Sequence, residues 1–384
     1  MGNDPAALAR CVGDVDAFLA ERWGRRPHRH RSPDGYADLL SIDDVDRIVS
    51  ASGLRTPAFR LVRGGETLPA ASYTRRARIG SRPVTDLADA GRVFALFDEG
   101  ATIVLQGLQR SWPPLARFCR ELETVLTHPV QANAYVTPPV ATGLRVHADA
   151  HDVFALQTFG RKQWITYTAG DVADLDLALE PGDSLYIPQG VRHAARTVDQ
   201  PSVHITIGVR AVSWEQVLRD ALDGALAVAL DDTGRGSLPP GFANDPAAIT
   251  GAVADRLAAL AKQIESLDAP RVAEAAAERF LAERPPLLTG QLRQLLAVGD
   301  LDDGTTVVRR PGTFCRVGPP EDGVVRVMLG DRALRLPARV EPALRWVAER
   351  NRFTVRDLAG YLDEESRRVL VARLVREALL LIES

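Results

Sequence analysis

The stretch RVHADAHDVFALQTFGRKQW, residues 145–164, sets His147, Asp149 and His151 at every second position of a segment otherwise rich in Val, Phe and Leu. Read as a strand, in which successive side chains point to opposite faces, it puts all three on one side. A carboxylate beside imidazole on an inward face is costly unless it is paired, and a divalent metal is the economical partner for nitrogen and oxygen donors that point inward. A third donor should come from a neighbouring strand. In EPGDSLYIPQGVRHAARTV, residues 180–198, Pro-Gly-Asp opens an apolar strand, and after a Pro-Gln-Gly turn the next strand begins with His193. Two His and one Asp form the ligand set of a non-haem Fe(II) centre that keeps three positions open for cosubstrate and O2. His151 and His204 compete with His193 for the third place. His151 lies further along the strand, and His204 sits in SVHITIGV, which has the pattern of core.

Such donors need a rigid frame. From about 131 to 210 the sequence has period two in closely spaced segments: QANAYVTPP, the opening stretch, RKQWITYTAG, LDLALEPGDSLYIP and SVHITIGVR, with turns at Gly160 and at 181–183. This is the spacing of a small antiparallel barrel or sandwich. The first third mixes helix and strand. DPAALARCVGDVDAFLAERW, with an Asp cap and Pro in its first turn, predicts one helix ending near Trp23. SIDDVDRIVSA, TDLADAGRVFALFDEG and PPLARFCRELETVL predict further helices, ATIVLQGL a short strand, and the basic run GRRPHRHRSP a solvated loop. From 213 to about 282 the pattern is helical and alanine-rich. Beyond 301, GTFCRVG and VVRVMLGDRALRLPA predict strands with a Gly-Asp hairpin, followed by three helices and a final strand, an order that suggests a winged helix. Its last helix mixes Glu364 and Glu365 with Arg367 and Arg368, which favours a structural or assembly role over DNA binding.

Composition narrows the choice. At 384 residues and 46% hydrophobic content the chain exceeds what one core usually organises, so two or three packed units are expected. A net charge of -3, from 47 basic and 50 acidic residues, supplies no global field to recruit nucleic acid or an anionic membrane. No apolar run is long enough to span a bilayer, and the N-terminus lacks the basic flank and apolar core of a secretion signal, so a cytoplasmic protein is expected. Cys11, Cys119 and Cys315 are odd in number and far apart, which fits reduced core thiols. Lysine occurs only at Lys162 and Lys262, arginine taking every other basic position.

The ordered set NAYVTPP (133–139), HADAHDVFALQTFGRKQW (147–164), PGDSLYIPQGVRHAA (181–195) and VHITIGV (203–209) resembles the JmjC oxygenases of the cupin superfamily, in particular the ribosomal oxygenase branch. The resemblance implies an α+β fold: a double-stranded β-helix barrel with an N-terminal helix and strand extension over 1–211, a helical dimerisation segment over 212–300, and a winged-helix-like domain over 301–384. It implies Fe(II) held by His147, Asp149 and His193, with 2-oxoglutarate as cosubstrate and O2 as oxidant. In the family the position fifteen residues after the first His ligand carries the Lys or Arg that pairs with the distal carboxylate of 2-oxoglutarate, and here that position is Lys162. The other reading of Lys162 is a surface lysine flanking the Gly160 hairpin. Asn133 and Tyr135 match positions that line the cosubstrate and substrate pocket, with Thr206 beside them.

Two departures fall where substrate is read. Gly208 stands where relatives often have a serine, so a hydrogen bond near the substrate is expected to be missing, and the link from Tyr167 to Glu180 is short. Three functions follow as expectations. The first is a 2-oxoglutarate-dependent dioxygenase that hydroxylates a protein or peptide side chain, such as Arg or His of a ribosomal protein, and works as a homodimer. The others are an oxygenase of a small amino-acid-like metabolite and a non-catalytic, metal-binding winged-helix regulator.

Overall fold

The period-two segments form the strands that frame the candidate donors. In the computed structural model, which describes residues 5–139, 141, 145–168, 170, 172–230 and 236–383, the chain falls into two compact units. One comprises Met1–Ala211, Pro286–Thr313 and Pro342–Ser384, the other Val212–Pro285 and Phe314–Glu341.

In chain order the first unit begins with α1 (Ala6–Val12), α2 (Val15–Glu21), β1 (His28–Arg31), α3 (Ile42–Ala51), β2 (Phe59–Arg63), β3 (Glu66–Thr67), β4 (Thr74–Ile79), β5 (Arg82–Ala88), α4 (Ala90–Asp98), β6 (Thr102–Leu105) and α5 (Pro113–Leu126). The barrel strands follow: β7 (Val130–Thr137), β8 (Asp152–Gly160), β9 (Lys162–Tyr167), β10 (Ala173–Leu179), β11 (Asp183–Ile187), β12 (His193–Arg196) and β13 (Ser202–Val209). An eight-stranded antiparallel sheet in the order β1-β11-β8-β13-β7-β6-β2-β3 and a three-stranded sheet β10-β9-β12 supply the walls of one cavity. The large sheet buries its other face, including Phe154, Leu156, Ile205 and Ile207, against the N-terminal helices and α5. Burying each such side chain contributes on the order of 2 kcal/mol, which makes this sheet the rigid wall of the site.

Three local expectations are corrected. The first helix is broken, because Gly13 takes φ +77° and a Cβ there would meet the His30 ring at 3.0 Å; α1 stops and α2 restarts behind its own cap, Asp14, which accepts from Ala17 N–H. The expected Asp4 cap lies outside the described residues. Residues 28–31 of the basic run are strand rather than loop: β1 pairs with β11, and Arg29 is salt-bridged at 3.1 Å to the fully buried Asp183. Residues 85–88, read as the start of a helix, belong to β5, and Asp89 caps α4 instead. All three cysteines are buried, and none forms a disulfide among the described residues.

The second unit carries α6 (Trp214–Ala229), α7 (Thr250–Glu265) and α8 (Ala269–Ala282). Downstream come α9 (Gln291–Ala297), β14 (Thr306–Arg309), β15 (Arg316–Glu321), β16 (Val324–Met328), β17 (Ala333–Pro337), α10 (Glu341–Ala348), β18 (Arg352–Thr354), α11 (Glu364–Arg376) and β19 (Leu380–Ile382). The compact units cut across the expected 212–300 and 301–384 segments. The sheet β15-β16-β17 goes with the helices, where Phe314 packs edge-on against Phe280 and Arg316 pairs with Glu274. The sheet β18-β14-β19 goes with the barrel unit, anchored where Arg120 donates to the Gly312 carbonyl. TVRDLAGYL contains a short 3-10 turn, Val355–Gly360, in place of a full helix.

Candidate active site

The segment that carries the candidate donors is not a regular strand. β8 begins only at Asp152, and the chain ahead of it crosses from one sheet to the other. His147 N–H donates to the His193 carbonyl at 3.1 Å and His193 N–H to the His147 carbonyl at 2.8 Å, which ties His147 to the first residue of β12 in the small sheet. Asp149 offers its carbonyl to Gly190 N–H at 3.0 Å, and by Asp152 the chain has joined β13 in the large sheet. Asp152 fixes that junction: its buried carboxylate accepts from Tyr186 Oη at 2.6 Å and from Gln189 N–H at 3.2 Å. The Pro188-Gln189-Gly190 turn, with Gly190 at φ +80°, brings β12 back beside it. The donors therefore meet through this bridge and turn, rather than through alternation along one strand.

Ligand-capable atoms of His147, Asp149 and His193 lie within 4.8 Å of one another. His147 Nε2 is 3.8 Å from Asp149 Oδ1, and His193 Nε2 is 3.5 Å from Asp149 Oδ2. Each imidazole Nδ1 faces a backbone carbonyl, Arg145 at 2.8 Å and Val191 at 3.0 Å. With Nδ1–H donating there, Nε2 keeps its lone pair toward Asp149, the tautomer in which histidine binds a metal. Burial pushes the His193 imidazolium below its usual 6.5, which favours the same neutral form. The donor set, its orientation and its outer hydrogen bonds fit a divalent ion.

The three side chains open into a cavity of ≈ 200 Å³. Its floor follows the register of the large sheet, row by row: Val62 and Thr102; then Arg60, Val104, Tyr135 and His204; then Asn133 and Thr206; then Val153, whose register partner is Gly208. The small sheet contributes Lys162, Trp164, His193 and Ala195 from the other side. Asn133 Oδ1 accepts from Gly107 N–H at 2.9 Å, which fixes its amide. Lys162 is not a surface lysine. Its side chain is 3% exposed, it donates from Nζ to Thr137 Oγ1 at 3.0 Å, and burial pushes it down to about 7.

His151 stands outside the three-donor group but lines the same cavity, its Nε2 3.5 Å from Gln131 Nε2. A Cβ on residue 208 would lie 2.4 Å from that same Nε2, so Gly208 leaves the space that the His151 ring fills. Sequence reasoning missed this pairing, it missed Arg60 and Trp164 as cavity residues, and it missed Thr137 as the hydrogen-bond partner of Lys162. His204 is buried as expected of core, yet it faces the cavity, and its Nδ1 has no hydrogen-bond partner. A polar residue at an inward strand position was the one available signal for it.

Residues 105–217 match the family model of the JmjC domain, and the fold is the cupin-like one of that family. The chain is similar to ribosomal oxygenases over part of its length. It is 30% identical over 241 residues to the bifunctional lysine-specific demethylase and histidyl-hydroxylase NO66 of Culex quinquefasciatus, covering 57% of this chain and 36% of the relative. It is 28% identical over 240 residues to ribosomal oxygenase 1 of Gallus gallus, covering 56% of this chain and 38% of that one. The chain thus spans little more than a third of the length of these relatives. Among solved structures, the ribosomal oxygenase YcfD from Escherichia coli, in complex with cobalt and succinic acid, matches with a TM-score of 0.58 and 19% identity, over 97% of this chain and 98% of that one.

Proposed function

We propose that this chain is an Fe(II)- and 2-oxoglutarate-dependent dioxygenase that hydroxylates a side chain of a protein or peptide. The observation that carries the reading is the convergence of His147, Asp149 and His193 in one cavity with a buried lysine. In this reading those three residues hold the metal, Lys162 binds the distal carboxylate of 2-oxoglutarate, and Asn133, Tyr135 and Thr206 shape the cosubstrate and substrate space. Bound Fe(II), with 2-oxoglutarate and O2, supplies the oxidising power to place one oxygen atom in a substrate C–H bond while the cosubstrate leaves as succinate and CO2. The protein's own part is positioning. The Arg145 and Val191 carbonyls orient the two imidazoles, Gly107 fixes Asn133, and the apolar walls Val62, Val104, Val153 and Trp164 limit water around the reacting atoms.

A protein substrate is supported by the names of the similar proteins, histidyl-hydroxylase, lysine-specific demethylase and ribosomal oxygenase. The test is succinate release from purified protein with Fe(II), 2-oxoglutarate and O2. The panel comprises peptides carrying a central His, Arg or Lys and, in parallel, free amino acids. Slow release alone and faster release with a peptide is the expected result. Stimulation by a free amino acid only would move the assignment to a small metabolite.

The same proposal includes a homodimer through the alanine-rich helices. It is supported by an unpartnered apolar stripe on α6, where Trp214 (82% exposed), Leu218, Leu222 and Leu226 recur at every fourth residue. A winged-helix-like role in assembly for the C-terminal region is supported by the order of α9, β14, α10, β18, α11 and β19. Arg367 of α11 is tied to Asp303, which leaves it less available to nucleic acid. We keep the cytoplasmic location expected from the sequence; separately, among the described residues no helix is long and apolar enough to cross a membrane.

A further inference from the structure

One cation on the cavity wall has only neutral partners. Arg60 of β2 lines the cavity from the edge of the floor, in register with Val104 of β6 and, through it, with Tyr135 of β7. Its Nε donates to Gln106 Oε1 at 2.8 Å and its Nη1 to Thr67 Oγ1 at 3.1 Å, and the guanidinium lies beside the Tyr135 hydroxyl. The Gln106 amide is itself fixed, since its Nε2 donates to the Pro57 carbonyl at 2.7 Å. These contacts hold the guanidinium in place and leave its charge uncompensated. Other arginines nearby are treated differently: Arg63, further along the same strand, pairs with Glu99 at 3.1 Å, and Arg55, just ahead of it, pairs with Asp86 at 2.6 Å. Among the described residues no carboxylate pairs with Arg60. Asp149 is the one acid among the described residues that line the cavity, and in the reading above it is a metal ligand. In the loaded site its charge, that of the divalent ion, the two carboxylates of 2-oxoglutarate and the Lys162 ammonium cancel. Arg60 then decides the sign of the space that remains. A partly buried guanidinium without an acid carries a desolvation cost that a bound carboxylate offsets. A cationic side chain entering the same space meets repulsion with no free acid to balance it.

We propose that Arg60 selects the substrate: the protein or peptide segment that enters the cavity carries an Asp or Glu carboxylate there, and segments presenting Lys or Arg are rejected. The inference rests on the oxygenase reading above for the loaded state. The substrate carboxylate accepts from the Arg60 guanidinium and from the Tyr135 hydroxyl beside it, a charge-assisted contact whose geometry the Gln106 and Thr67 hydrogen bonds set in advance. No covalent bond or proton is moved in forming it. Selection is therefore positive toward acids and negative toward cations, and the same residue does both.

Peptide binding to the full chain loaded with redox-inert Mn(II) and 2-oxoglutarate tests this without turnover. The probes are fluorescein-labelled peptides, identical but for a central Asp, Glu, Asn, Gln, His, Lys or Arg, read by anisotropy. The parent should bind the Asp and Glu peptides roughly tenfold more tightly than their Asn and Gln counterparts, and the Lys and Arg peptides most weakly. In Arg60→Gln the Asp-to-Asn and Glu-to-Gln ratios should fall to about one, while the Asn and Gln peptides bind within about twofold of the parent. Mn(II) content and 2-oxoglutarate affinity, measured by calorimetry, should be unchanged. An arginine with a merely structural role would weaken all the peptides alike. A parent that shows no preference for the acidic peptides, or prefers Lys or Arg, overturns the proposal, and so does Arg60→Gln with the preference intact. Weaker 2-oxoglutarate binding in Arg60→Gln would move Arg60 to the cosubstrate and equally overturn it. If Arg60→Gln does not fold, the parent's ranking of the peptides decides. Mn(II) bound with no 2-oxoglutarate binding at all would refute the oxygenase reading itself, and this inference with it.

Discussion

Lys162→Met should make the protein more stable in the absence of cosubstrate, and the gain should depend on pH. Lys162 is 3% exposed, with a hydroxyl as its hydrogen-bond partner, and burial pushes its ammonium from the ordinary 10.5 to about 7. Because the folded-state value is the lower one, folding disfavours the proton. The penalty is complete below about pH 7, shrinks between about 7 and 10.5, and vanishes above that range. At about 1.36 kcal/mol per pH unit the full penalty is on the order of 5 kcal/mol. Methionine fills nearly the same volume without a charge. It gives up the bond to Thr137, about 1 kcal/mol, so the net gain is about 4 kcal/mol near pH 6 and disappears or reverses slightly near pH 10. Urea denaturation of metal-free parent and variant at about pH 6, 8 and 10 measures this, with hydrogen exchange of the β9 amides locating the transition in the barrel unit. The reasoning fails if the variant is less stable than the parent at pH 6, or if its advantage is the same at every pH. The same variant should lose 2-oxoglutarate binding while keeping its metal, since no ligand atom has been removed.

The remaining predictions concern the metal, a turn and the dimer. His147→Ala and Asp149→Ala should each lower iron content by more than the roughly 10–100-fold that loss of an outer-shell partner costs, and abolish succinate formation. His151→Ala should keep its iron, and elemental analysis of the three variants reverses the ligand assignment if His151→Ala loses iron while His147→Ala retains it. Gly160→Ala should destabilise the barrel by about 3 kcal/mol, because Gly160 has φ +62° and a Cβ would lie 1.8 Å from the Pro201 carbonyl oxygen. A parent-like urea midpoint would show that this turn is not sterically fixed. Light scattering at micromolar concentration should give a dimer mass that Trp214→Asp with Leu222→Asp lowers to that of a monomer; a monomeric parent would end the dimer proposal.

Motif order made much of the site legible in advance. His147, Asp149 and His193 could be picked out because donor types at short spacing, followed by a Pro-Gly-Asp strand and a Pro-Gln-Gly turn, restrict what the backbone can bring together. Capped helices such as α3, with its Ser41–Asp44 capping box, and the strands from 130 to 209 were readable for the same local reason. Other features arise from contacts between residues far apart in sequence. Gly13 and the basic run 28–31 gave local signals for helix and loop, but packing of His30 against Gly13 and pairing of β1 with β11 overrode them. That 147–151 crosses between two sheets depends on the His147–His193 bridge, for which alternation within the segment carries no information. The cavity-facing positions of Arg60 and His204, the contact of Thr137 with Lys162, and the way His151 fills the space at Gly208 depend on strand register across the large sheet. The sequence by itself determined which atoms could bind a metal and which cation was a marked choice. The tertiary structure decided that this lysine is buried with no carboxylate paired to it among the described residues, because burial and side-chain pairing are properties of the assembled sheets.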